Sequence, residues 1–163
     1  VLIELAKTDS SDSVRQAATN KIEDQSILIK IAETDTADSV RKIATRKVED
    51  QVVLSRIATK DSNYNIQAQA VNKIEDNAQL KYIVCNTKSE IIRRMAFEKI
   101  NDSDILIDIF YELVESNKYI SARIVKYFDG GYHPKGMVEK YIDIYGSYPN
   151  LLDLGFCLSM LAR

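Results

Sequence analysis

Lys47-Val48-Glu49-Asp50 decides the fold of this chain, because the same phrase stands 26 residues before it and recurs twice after it at the same interval. The other copies are Lys21-Ile22-Glu23-Asp24, Lys73-Ile74-Glu75-Asp76 and Lys99-Ile100-Asn101-Asp102. A fixed period of this size marks one small supersecondary unit stacked repeatedly on itself.

What lies between two copies reads as a helical hairpin. Within 25–50, Leu28, Ile31 and Ala32 fall at i, i+3 and i+4, an apolar stripe on a short helix. Asp24 precedes it as an N-cap, and Asp50, Asp76 and Asp102 are placed to cap later units in the same way. Thr34-Asp35-Thr36-Ala37-Asp38-Ser39 supplies turn residues, and Val40, Ile43, Ala44 and Val48 form a second stripe. Each helix is then roughly 10 residues, or about 15 Å. Helices this short are marginal alone in water, so each must bury its stripe against its partner and the next hairpin. Ala18, Ala44, Ala70 and Ala96 share a register where a large side chain would hold neighbouring helices apart. Val14, Val40, Ile66 and Ile92 share another, expected to be buried in the first turn of each second helix.

The units run 1–24, 25–50, 51–76, 77–102 and, slightly longer, 103–130, and a degenerate hairpin fills 131–163 after the Gly130-Gly131 break. The expected fold is therefore all-α, an α-α superhelix of about six hairpins. The chain opens on the apolar Val1-Leu2-Ile3-Glu4-Leu5-Ala6 and closes on the apolar stretch 151–161, with no polar cap at either end. That predicts a piece of a longer protein or end-to-end self-association.

Composition excludes more than it assigns. A net charge of −2 over 163 residues gives no general attraction to nucleic acid or to anionic membranes. No apolar run in the repeats approaches the roughly 20 residues of a membrane span. Cys85 and Cys157 fit no metal spacing and read as reduced thiols of a cytoplasmic protein. His133 is the only histidine and has no Cys or His beside it, so a triad or zinc site lacks its parts. No glycine-rich phosphate loop occurs. The sequence assigns no catalytic residue, metal ligand or cofactor, and an enzyme is not expected.

Asp38-Ser39-Val40-Arg41-Lys42-Ile43-Ala44, with its earlier copy Asp12-Ser13-Val14-Arg15-Gln16-Ala17-Ala18, resembles the HEAT-like repeat family. That family has Asp in the inter-helix turn, Val-Arg opening the second helix and Ala one turn on. At 26 residues the units are also similar to leucine-rich repeat variants and to the short repeats of bilin lyases. The resemblance covers 1–102 well and 103–163 weakly. It implies a right-handed α-solenoid whose second helices line a concave face that binds proteins or, in some members, nucleic acids. Tyr64-Asn65-Ile66-Gln67 departs from the motif, so an Asp–Arg ladder should break in the third unit.

Comparing units separates scaffold from display. Arg15, Arg41 and Arg93 share a register and read as structural, tied to turn carboxylates such as Asp12 and Asp38. Lys21, Lys47, Lys73 and Lys99 fall inside the apolar arc, with stems packed between units and ammonium groups reaching a neighbouring Glu or Asp. Opposite that arc the rows vary: Gln16, Lys42, Ala68, Arg94 and Ala122 in one, and Asn20, Arg46, Asn72, Glu98 and Lys126 in the next. Lys42, Arg46, Asn72, Arg94 and Lys126 are the candidate partner-binding residues, with Tyr132 and Tyr148 as exposed anchors in the turn segments of the tyrosine-rich region 111–148. The expected function is a non-catalytic scaffold for a protein or peptide partner of acidic character, in the cytoplasm and without a membrane. The alternatives are a nucleic-acid-binding domain similar to HEAT-like DNA-repair glycosylases, which the absence of tryptophan disfavours, and a helper domain of a larger enzyme.

Overall fold

A computed structural model describes residues 1–102 together with 104, 105, 108, 109 and 112. The chain divides into two compact units, Val1–Ile105 and Leu106–Arg163, and the first carries the architecture that follows. Most of 103–130 and all of 131–163 lie outside the described residues.

Among the described residues the chain is entirely helical. In order, the elements are α1 (Leu2–Thr8), α2 (Asp12–Asn20), α3 (Gln25–Thr34), α4 (Asp38–Lys47), α5 (Gln51–Lys60), α6 (Tyr64–Lys73), α7 (Asn77–Asn86) and α8 (Glu90–Lys99). None is long and apolar enough to cross a membrane. The starts of the first helices are set by the repeated aspartate. Asp24 accepts from the Ser26 and Ile27 amides, Asp50 from Val53 and Asp76 from Ala78, each satisfying donors that a helix start leaves open. Second helices are capped unevenly: Asn63 and Ser89 accept from their own first turns, whereas Ser11 and Ala37 make no side-chain cap.

Helices pair as hairpins, α1 with α2, α3 with α4, α5 with α6 and α7 with α8, and each hairpin packs on the next. Second helices touch in series, α2 to α4 to α6 to α8, and first helices do likewise from α1 to α7. The core is periodic because the sequence is. Leu28, Leu54 and Leu80 fill one layer, with Ile31, Ile57 and Ile83 beside it. Ala18, Ala44, Ala70 and Ala96 are buried where second helices meet, and Val40, Ile66 and Ile92 are buried in the first turn of theirs.

Two expectations are corrected. Val14 is 37% exposed although its counterparts are buried, because it stands on the first hairpin, which has a described neighbour on only one side. Three of the four row lysines, Lys47, Lys73 and Lys99, bridge hairpins, but their acceptors are mostly carbonyls, and Lys21 is exposed with no such contact among the described residues. Lys73 donates to the carbonyls of Thr45 (3.2 Å), Arg46 (2.6 Å) and Val48, and Lys99 to those of Val71 (3.0 Å) and Asn72 (2.8 Å). Lys47 donates to the Asn20 (3.0 Å) and Ile22 carbonyls, and it alone of the three adds a carboxylate, Glu23, at 2.7 Å. Each ammonium thus sits over the C-terminal turn of the preceding second helix, where unpaired carbonyls and the negative end of the dipole collect.

Candidate interaction surfaces

The junction between consecutive hairpins is built from one recurrent set of side chains. In the first seam, Arg15 from α2 holds Asp35, at the turn of the next hairpin, through a two-point fork: Nε to Oδ2 at 2.9 Å and Nη2 to Oδ1 at 3.0 Å. It also donates to the Asp9 carbonyl (2.9 Å) and to Asp12 Oδ1 (2.8 Å) of its own hairpin. In the second seam Arg41 repeats every contact 26 residues on. It forks onto Asp61 at 2.9 and 3.1 Å and reaches the Asp35 carbonyl (2.9 Å) and Asp38 (2.6 Å). The carboxylates of Asp35 and Asp61 are almost wholly buried, and each also accepts a turn amide, Ala37 or Asn63. One aspartate therefore closes its own turn and locks the preceding hairpin. The bond to Asp61 raises the Arg41 guanidinium pKa, and the bonds from Asn63 and Arg41 hold the Asp38 carboxyl below the usual range.

The third seam is different. Gln67 stands in the arginine register and Thr87 in the aspartate register, so both charges are replaced together. Gln67 keeps the contact to its own hairpin, donating to the Asp61 carbonyl at 2.7 Å, and Thr87 Oγ1 keeps the turn contact, accepting from Ser89 at 3.2 Å. The cross-seam fork is gone, as the departure at Tyr64-Asn65-Ile66-Gln67 predicts. Arg93, in the last described hairpin, donates to the Val84 (3.1 Å) and Thr87 (2.6 Å) carbonyls. Elsewhere the third seam is held by α5 and α7, where the buried Ser55 donates to Gln79 at 2.8 Å.

Two structural rows escaped the sequence reading. Asp35 and Asp61 were legible as a 26-residue recurrence with Asp9, but they pass for ordinary turn residues. Gln25 and Gln51 also recur. Gln25 bridges the Lys47 carbonyl (3.1 Å) and the Glu49 amide (3.1 Å), and Gln51 the Lys73 carbonyl (3.5 Å) and the Glu75 amide (2.8 Å). They clamp the two ends of a hairpin together.

On the exposed side of the second helices, Lys42, Arg46, Asn72 and Arg94 are all solvent-accessible. They lie on α4, α6 and α8, the helices that pack in series. Lys42 makes no ion pair among the described residues, whereas Arg46 donates to Asn20 at 3.0 Å and Arg94 pairs loosely with Glu98 at 3.7 Å. Gln16 of the same rows donates to Ser39 at 2.9 Å. Lys126, Tyr132 and Tyr148 lie outside the described residues. Among the described residues no group of His, Cys, Asp and Glu side chains is placed to hold a metal ion.

No protein-family model, no curated protein and no solved structure matches this chain.

Proposed function

We propose that the chain is a non-catalytic interaction scaffold of the HEAT-like kind, a right-handed α-α superhelix in the cytoplasm that receives an acidic protein segment along its second helices. The observation that carries this reading is a division of labour among the cations. Arg15, Arg41, Lys47, Lys73 and Lys99 are bound into seams between hairpins. Lys42, Arg46 and Arg94 are exposed on α4 and α8, with Asn72 on α6 between them, and of these only Arg46 reaches the preceding hairpin, through Asn20. Lys126, Tyr132 and Tyr148, the other residues proposed to meet the partner, lie outside the described residues.

A fluorescent polyglutamate peptide and labelled duplex and single-stranded DNA, titrated at low salt, test the reading. Binding of the peptide should be weakened at least tenfold by the double charge reversal Lys42→Glu/Arg46→Glu. Unchanged affinity in that variant removes the assignment. Tight DNA binding that collapses steeply with salt would replace it with the nucleic-acid alternative.

A further inference from the structure

The three seams leave clefts at the same edge, where first helices end and the inter-helix turns begin, and they differ in how each is charged. The second seam has a cleft of about 190 Å³. Two ion pairs cross it, Arg41–Asp61 and, at its mouth, Arg56–Glu33 at 2.5 Å. The first seam has a cleft of about 500 Å³. It keeps the Arg15–Asp35 fork, but Lys7 and Lys30, both basic, stand among its lining residues where the second seam has Glu33 and Arg56. The third seam has neither pair. Gln67 and Thr87 replace the fork, Thr59 and Tyr82 replace the pair at the mouth, and the cleft opens to about 750 Å³.

The lining of this third cleft is chemically one-sided. Lys60 and Lys88 are exposed and make no ion pair or hydrogen bond among the described residues. Asp61, the carboxylate on the lining, is already held by Arg41. Tyr82 is 42% exposed and presents an aromatic ring with a hydroxyl tip, and the side-chain amides of Gln67 and Asn86, each donating one N–H to a carbonyl (Asp61 and Tyr82), lie along the same cleft. Two uncompensated ammonium groups call for an anion, and the volume and the aromatic platform call for more than a small ion. Side-chain amides suit the alternating donors and acceptors of an extended peptide backbone.

We propose that the third seam is a binding site for an extended acidic peptide, distinct from the second-helix surface. A ligand carboxylate sits between Lys60 and Lys88, and the adjoining apolar residue rests on Tyr82. Unlike the first two seams, this one has no Arg–Asp fork across it.

The test uses the full chain and an acetylated, amidated Gly-Leu-Glu-Asp-Leu-Gly peptide, followed by amide chemical-shift mapping and fluorescence anisotropy. Shifts should gather on Lys60, Tyr82 and Lys88, and Lys60→Glu/Lys88→Glu should lower affinity at least tenfold. The decisive variant is Gln67→Arg/Thr87→Asp, which rebuilds the fork of the first two seams. It should fold at least as stably as the parent and lose the peptide. Lys42→Glu/Arg46→Glu is the parallel arm: binding kept there and lost in Lys60→Glu/Lys88→Glu assigns the peptide to this seam, whereas the reverse pattern overturns the proposal and leaves the second-helix reading standing. The proposal is overturned by no binding at low salt, by equal affinity for the Gln-Asn version of the peptide, by shifts confined to α4, or by undiminished binding to the rebuilt seam.

Discussion

Arg41 distributes one guanidinium over acceptors from two hairpins, and the cost of removing it depends on what is left opposite. Its partner Asp61 is nearly inaccessible, so Arg41→Gln alone strands a carboxylate in the interior and should cost about 3 kcal/mol. The third seam shows the compensated version, Gln67 with Thr87, in which the threonine hydroxyl still accepts the turn amide. Arg41→Gln/Asp61→Thr should therefore lie within about 1 kcal/mol of the parent, and urea denaturation of the double-mutant cycle measures the coupling. Thr19 and Thr45 pose the opposite problem: both are fully buried, and both Oγ1 atoms have no hydrogen-bond partner. The same register holds Val71 two hairpins on, also buried. Thr19→Val and Thr45→Val should each stabilise the fold by about 1 kcal/mol, read as a rise in the urea midpoint, since each removes a desolvated hydroxyl and keeps the shape.

Single helices of ten residues depend on their ends, and Asp24 illustrates the electrostatic share. Its carboxyl is held below the usual aspartate range, first by the Ser26 hydroxyl and then by the Ile27 amide. The folded state thus binds the proton less readily than the unfolded chain does. The stabilisation is complete above about pH 4 and is lost as pH falls through the depressed value. Asp24→Asn, which keeps a capping oxygen without the charge, should flatten the acid limb of the stability–pH curve below about pH 4. A variant whose limb is as steep as the parent's would place the proton elsewhere. The helices themselves were legible in advance because the i, i+3, i+4 stripes and the repeated Asp make the same statement in every unit. The partners of the lysines were not. A wheel locates Lys73 on the apolar arc but does not say that its stem reaches past the neighbouring side chains to the Thr45 and Arg46 carbonyls. Asp35 escaped for a related reason, since its turn contact to Ala37 is local and its fork to Arg15 is not. The break at Gln67 was visible, while its compensation at Thr87 required the seam to be seen. Lys42, Arg46, Asn72 and Arg94 were legible as variable positions, and the structure puts all four in solvent.

At the scale of the whole described array, the repeat makes a quantitative statement, because stability in such a stack is the sum of hairpins and seams. Removing one period keeps every remaining register, so the consequence of a deletion depends on which residues it brings face to face. Excising 25–50 joins Asp24 to Gln51 and sets Arg15 opposite Asp61, which restores the fork of the first seam with a new partner. It also sets Lys73 over the turn that ends at Asn20 and Ile22, the place Lys47 occupies in the parent. Excising 51–76 removes a hairpin of equal length but sets Arg41 opposite Thr87, so the guanidinium loses its buried carboxylate. The first deletion should therefore stay helical and cooperative, and the second should be weaker than it by about 2–3 kcal/mol in urea. Adding Thr87→Asp to the second deletion returns a carboxylate to that register and should recover most of the difference. Circular dichroism and denaturation of the three chains decide between seam-by-seam coupling and an undivided core. Equal stabilities for the two deletions, or indifference to Thr87→Asp, would mean that the hairpins are not joined by the ladder at all.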